Sequence, residues 1–270
     1  MARKLVGLNL AIAIASSLSL FPAAVGAADL ATIVARGKLI VAVKGDLRPL
    51  GFSDSQGHLQ GLEIDIARQL AQELLGNSDA VVLRPVTNQE RLQVVMEGSA
   101  DLAIAGVTAT PSRARLVDFS TYYYLDGTGL VTKNPTIEQW RDLALRQIAV
   151  LNGSSTIAAI RSELPQARLI GVNSYQEALT LLEADKADAF AGDNSLLAGW
   201  VQDYPQYRQL PVRLSGEALS IVIPKGLQYV ELRERVNQAI ARWKQSGWLQ
   251  QRITYWGLPL DGAEDKVMRK

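Results

Sequence analysis

Arg113 closes the segment Thr110-Pro111-Ser112-Arg113, which reads as an N-cap followed by proline at the first helical position, directly after an apolar strand over residues 101–107. A guanidinium fork beside the free N–H groups of a strand end can grip a carboxylate through two bonds. Asn152-Gly153-Ser154-Ser155 precedes another helix, and hydroxyls at a helix amino terminus also favour an anion. Asp193 ends a second apolar strand, 187–192, where an acid is placed to take an ammonium group. A carboxylate grip and an ammonium grip together describe a site for an α-amino acid. Two plainer readings stay open: Arg113 in a surface ion pair, and Asp193 as a turn cap.

Two further cations bear on the ligand's side chain. Lys44 ends the first apolar run, 38–43, and Arg91 lies in the opening turn of a helix that starts near residue 88. If a zwitterion matches Arg113 and Asp193, these two remain as surplus positive charge. An unpaired buried charge costs about 3–5 kcal/mol. A ligand carboxylate would cancel it, so charge balance favours glutamate or aspartate, then glutamine or another polar neutral amino acid. The alternative pairs Lys44 with Asp46 and leaves Arg91 solvated on the surface.

The positions of these residues follow from a repeating grammar. The β-branched run 38–43 reads as a strand buried on both faces, ending in the turn Lys44-Gly45-Asp46. Residues 52–60 read as a polar hairpin with His58 near its tip. Leu62, Ile66, Leu70 and Leu74 recur at helical spacing, with Glu63 and Asp65 in the first turn and Gly76 closing the segment. Thr87 with Glu90, and Ser174 with Glu177, each form a capping-box pattern ahead of a helix. Ala187-Asp188-Ala189-Phe190-Ala191-Gly192 echoes Ala100-Asp101-Leu102-Ala103-Ile104-Ala105 at an offset of 87 residues, which sets Asp193 opposite Gly106. That echo predicts two lobes of βα units with mixed, mostly parallel sheets flanked by helices.

The chain is expected to leave the first lobe near Gly129-Leu130-Val131 and return near Ser220-Ile221-Val222-Ile223. Lobe 1 then comprises 28–130 and 220–260, lobe 2 comprises 131–219, and 261–270 forms a loose polar tail. The last helix, 229–246, and residues 248–256 complete lobe 1. Two crossing strands make a hinge, and a hinge implies a cleft. Ligands of open α/β sheets sit at the carboxyl ends of the strands, where Lys44, Gly106, Asn152 and Asp193 all fall.

Composition closes off other functions. A chain of 270 residues with 48% hydrophobic residues buries a real core and suits two domains. No cysteine and a single histidine leave no thiolate metal site, disulfide framework or Ser-His-Asp triad. A formal charge of +1 argues against a nucleic-acid binder. No phosphate loop or metal-ligand spacing is present, so neither a cofactor nor a metal is expected.

Arg3 and Lys4 precede the apolar run 5–21 and then small residues up to Ala28, the order of a secretory signal peptide cleaved after Ala27. A membrane anchor is the rival reading, at the low limit of spanning length. Loss of Arg3 and Lys4 takes the formal charge from +1 to −1. No cysteine stands at the cleavage point to carry a lipid, so the expected location is the periplasm.

Gly61-Leu-Glu-Ile-Asp-Ile-Ala, Asp101-Leu-Ala-Ile-Ala-Gly-Val-Thr108, Thr110-Pro-Ser-Arg113 and Val117-Asp-Phe-Ser120 resemble the polar amino acid solute-binding proteins, family 3, of ABC transporters. The likeness runs from about Leu39 to Leu258. It implies a two-lobed, periplasmic-binding-protein-like fold of type II, joined by two hinge strands, that closes on an amino acid and delivers it to a membrane permease as a monomer. It assigns the ligand α-carboxylate to Arg113, a hydroxyl or backbone contact to Thr108, donors to Gly153-Ser154-Ser155, and the α-ammonium to Asp193. The pattern of Lys44 with Arg91 also looks like the acidic amino acid binders of that family. Two departures stand out: Lys44 replaces the acid many members carry, and Leu47 or Arg48 stands where many place a stacking aromatic. Neutral or basic amino acid ligands are further alternatives. So is a cyclohexadienyl dehydratase on the same fold, for which Glu183 and Glu217 are the default general acids.

Overall fold

In the computed structural model, residues 27–258 and Leu260 are described. The signal-peptide reading, up to Gly26, and the tail 261–270 lie outside them. Two five-stranded sheets share one plan. In the first, Val81–Pro85, Leu39–Val43 and Leu102–Ile104 run parallel, followed by the antiparallel strands Glu217–Ile223 and Asp118–Asp126. In the second, Arg168–Val172, Gln147–Leu151 and Ala189–Asp193 run parallel, and Thr128–Thr132 and Arg208–Gln209 complete the order. A small three-stranded sheet, Asp46–Leu47, Gly51–Ser53 and Leu59–Gln60, caps the first.

The parallel strands need crossovers, and the helices at Leu62–Leu75, Glu90–Met96, Thr156–Glu163 and Tyr175–Glu183 supply them. Helix 62–75 ends on Gly76 in the left-handed conformation, its N–H bonded to the Gln72 carbonyl. Thr87 and Glu90 exchange the reciprocal bonds of a capping box, and Ser174 accepts from the Glu177 N–H. Sequence reading missed the long strand Asp118–Asp126, the edge strands Val81–Pro85 and Arg168–Val172, and the helix Asn194–Asp203. The edge strands alternate polar and apolar residues only weakly, and Asn194–Asp203 has apolar residues on most sides.

Strand Asp118–Asp126 lies in the first sheet and Thr128–Thr132 in the second, with Gly127 between them. The chain returns through Ser215 and Gly216 to Glu217. The two crossings touch: a Cβ on Gly127 would come within 2.3 Å of the Ser215 carbonyl oxygen, so only glycine fits there. One apolar cluster runs through both sheets and includes Leu47 and Leu50 from one side and Leu196 and Trp200 from the other. Separate clusters fill the outer faces, around Val95 and Ala103 in the first sheet and around Ile148 and Ile160 in the second. The two halves are therefore packed together, with the strand ends of both facing one crevice. Among the described residues no helix is long and apolar enough to cross a membrane.

Candidate functional site

The crevice is bounded by Leu47, Arg91 and Gly106 from one side and by Ser155, Tyr175 and Asp193 from the other, and leaves a cavity of about 10 Å³ between them. That is about the room of one water molecule, so an amino acid enters only when the two halves part. Arg113, in a short 3-10 turn after Leu102–Ile104, donates from Nη1 to the Thr108 carbonyl at 2.9 Å and from Nη2 to the Gly153 carbonyl at 2.8 Å. Burial, with Arg91 close by, lowers its pKa to about 10.

Arg91 is buried, not solvated. Its Nη1 donates to the carbonyls of Ala105 at 2.8 Å and Gly106 at 2.6 Å, and its Nη2 reaches Gly153 at 3.4 Å. Gly106 sits in the left-handed region with φ 61°, and its N–H donates to Glu63 Oε1 at 2.7 Å. Both polar groups of the Gly106 residue are thus held, one by a cation and one by a carboxylate. Glu63 also accepts from the Tyr123 hydroxyl at 2.5 Å, while its Oε2 is buried without a partner. Burial raises the Glu63 pKa, against the pull of Tyr123, Gly106, Arg91 and Lys44.

Lys44 is also buried. Its Nζ meets Asp46 Oδ1 at 3.0 Å and lies 5.8 Å from the centre of the Tyr175 ring. Burial lowers its pKa and Asp46 opposes that effect. With Asp46 in contact and Glu63 nearby, the surplus positive charge read from Lys44 and Arg91 has counter-charges within the fold.

Thr108 and Ser155 meet at the hinge. Thr108 Oγ1 donates to Glu217 Oε2 at 2.6 Å, Ser155 Oγ donates to the same oxygen, and the two hydroxyls lie 3.2 Å apart. Thr128 and Ser215 hydroxyls contact Glu217 Oε1 at 2.8 and 2.9 Å. Burial works to raise the Glu217 pKa, but the four hydroxyls outweigh it and hold the carboxyl below its ordinary value. Ser154 lines the crevice, and its Oγ accepts from the Thr156 N–H at 3.2 Å.

Asp193 lines the crevice at the end of its strand, and its Oδ1 is buried with no hydrogen-bond partner. Burial, then the charges of Asp126 and Glu217, push its pKa well up. Asp126 accepts from the Ser195 hydroxyl and from the N–H groups of Gly127 and Ser195 at 2.8 and 3.2 Å; burial raises it to about 6. A buried carboxylate oxygen without a donor is a poor arrangement for an isolated protein and a good one for receiving a cation.

Of the residues singled out by sequence, Arg91, Gly106, Ser154, Ser155 and Asp193 line the crevice; Thr108 and Arg113 lie behind it, bonded to Ser155 and Gly153, and Lys44 borders it beside Tyr175. Sequence reading missed Glu63, Asp126 and Tyr175, and weighed Glu217 only as a general acid. Glu63 had a signal: it shares the i, i+3, i+7 face of its helix with Ile66 and Leu70, so its first-turn charge points inward. Glu217 opens the apolar strand Glu217–Ile223. Nothing in the sequence distinguishes Tyr175, because its role depends on a neighbour from the other sheet. The missing first-lobe aromatic has a counterpart here: Leu47 lines the crevice, and the aromatics that line it too, Tyr175 at a helix start and Phe190 in a strand, come from the second half. Glu183 sits away from the crevice, bonded to Tyr207 at 2.7 Å and bridged to Lys133. Among the described residues no cluster of His, Asp or Glu could hold a metal ion.

Residues 39–259 match the family model of bacterial extracellular solute-binding proteins, family 3. A glutamine-binding protein of Geobacillus stearothermophilus is 36% identical over 199 residues, covering 73% of this chain and 76% of that one. The ABC transporter glutamine-binding protein of Bacillus subtilis (strain 168) is 30% identical over 221 residues, covering 81% of this chain and 80% of the relative. The crystal structure of a solute receptor for L-cysteine from Neisseria gonorrhoeae superposes with a TM-score of 0.79 at 31% identity, covering 87% of this chain and 96% of that one.

Proposed function

We propose, from the premise that this chain belongs to the bacterial extracellular solute-binding proteins, family 3, that it is the amino-acid-binding subunit of an ABC importer. It binds its ligand between two lobes and delivers it to a membrane permease on the outer side of the cytoplasmic membrane. The observation that carries this reading is the unpartnered Asp193 carboxylate lining the crevice, with the Arg113 guanidinium near enough to act on its charge and bonded to the Gly153 carbonyl. The guanidinium takes the α-carboxylate and Asp193 takes the α-ammonium, each replacing water with a group of opposite charge. The ligand is bound and released unchanged.

Lobe 1 comprises the described residues up to Asp126 together with 217–258, and lobe 2 comprises 128–214. Gly127 and Ser215-Gly216 form the hinge. Export by the leader 1–27 places the protein in the periplasm, where it works as a monomer.

Glutamine is the ligand this site fits best. Lys44 is neutralised by Asp46, and Glu63 offsets Arg91, so a second ligand carboxylate would add uncompensated charge. The two glutamine-binding relatives support the same choice. A thermal-shift screen of the twenty amino acids tests it: glutamine is expected to raise the melting point most, by mass action on the bound state. A larger rise with glutamate would return the site to an acidic ligand, and no rise with any amino acid would remove the proposal.

A further inference from the structure

Glu217 lies between the two crossings, where hydroxyls from both halves converge on it. Thr108 belongs to the first sheet's strand-end loop, while Ser155 opens a helix of the second half and lines the crevice. A hydroxyl carries one proton and two lone pairs, and an ionised carboxylate can only accept. Both hydroxyl protons therefore point at Glu217 Oε2, and what each oxygen has left to offer is an acceptor. The four hydroxyl contacts that lower the Glu217 pKa favour this ionised state.

We propose that Glu217 is a positioning residue that sets the polarity of the ligand's ammonium subsite, by taking the protons of Thr108 and Ser155 so that their oxygens accept from the ligand. This rests on the reading of the crevice as an amino acid site and deepens it. An ammonium has three N–H donors. Asp193 Oδ1, buried and unpartnered, supplies one acceptor, and the hydroxyl oxygens of Thr108 and Ser155, 3.2 Å apart, supply two. Were Ser155 to present its proton instead, it would suit the ligand's carboxylate, which Arg113 already serves. Because Thr108 and Ser155 come from different halves and meet at 3.2 Å, the acceptor pair forms only when the halves are together.

The test compares L-glutamine with glutaramate, its analogue lacking the amino group, by calorimetry, with displacement titration for the weaker ligand. Glu217→Gln is expected to weaken glutamine about tenfold to a hundredfold, the range for a hydrogen bond to a charged group, and to change glutaramate by less than about threefold. Equal losses for both ligands, or no loss for either, overturn the inference. If Glu217→Gln fails to fold, Ser155→Ala reads the same polarity. A selective loss of glutamine supports an accepting hydroxyl, and a matching loss of glutaramate means that the hydroxyl donates to the carboxylate, which overturns it. A wild-type protein that binds neither compound nor any amino acid refutes the site reading itself, a result distinct from a wild type that binds while Glu217→Gln is silent.

Discussion

The guanidinium of Arg113 donates to the carbonyl oxygen of Gly153 at 2.8 Å, from the strand-end loop of the first sheet to the loop that opens a helix of the second. Arg91 reaches the same oxygen at 3.4 Å, so two cations from one half converge on one acceptor of the other. Arg113 spends one further donor on Thr108. A guanidinium has five N–H groups in a rigid fork, so donors remain for a carboxylate.

On the proposed reading, the ligand carboxylate needs that fork more than the charge. Arg113→Lys keeps the charge and loses the planar pair of donors, so it is expected to weaken amino acid binding about tenfold to a hundredfold. Calorimetry checks this; an affinity within twofold of wild type would show that Arg113 only ties the halves together.

Asp193 is expected to trade stability for binding. Its Oδ1 is buried without a partner, and burial pushes its pKa well up, so the charge costs the ligand-free fold. Asp193→Asn removes that charge at constant shape. Ligand-free melting is expected to rise by about 2–4 °C, the shift for about 1 kcal/mol in a chain of this size, while amino acid binding is lost. A lower melting point would mean that the carboxylate has a stabilising partner in the fold.

The same acids make binding sensitive to pH. Asp126 is raised to about 6 by burial, and Asp193 is raised well above its ordinary range. Protonating either acid removes negative charge from around the proposed ammonium subsite, so affinity is expected to fall as pH drops through about 6, by at most about tenfold per pH unit per proton. Ligand-free stability runs the other way. The folded state holds more protons than the unfolded chain between the ordinary 3.8 and about 6, so the Asp126 contribution falls as pH rises through that window. Titrations from pH 5 to 8 on wild type and Asp126→Asn check both signs, with a flatter affinity profile expected for the variant.

Charge balance at Lys44 decides between an acidic and a neutral ligand. Asp46→Asn removes the carboxylate 3.0 Å from its ammonium and leaves a buried cation unmatched. The ratio of glutamate to glutamine affinity is expected to rise about tenfold, below the roughly hundredfold or more of a fully buried pair because the Asp46 side chain is 52% exposed. An unchanged ratio would place the ligand side chain away from Lys44.

Local patterns in the sequence determined the parallel strands at 39–43 and 147–151, the helices at 62–75 and 230–245, and the strand ends bearing Gly106 and Asp193. Each rests on periodicity, caps or an apolar run, which are properties of neighbouring residues. The arginine and aspartate of the site were legible for the same reason, since each follows a strand that announces itself. Tertiary structure alone decided the charge balance and the hydrogen-bond polarity. Asp46 could pair with Lys44 or face water, and only the fold buries Lys44 against it and Tyr175. Glu63 and Glu217 draw their partners, Gly106, Tyr123, Thr108, Ser155 and Thr128, from residues 43 to 109 positions away in the chain. Charge and proton direction depend on which groups burial brings within bonding distance, and a linear pattern does not encode that proximity.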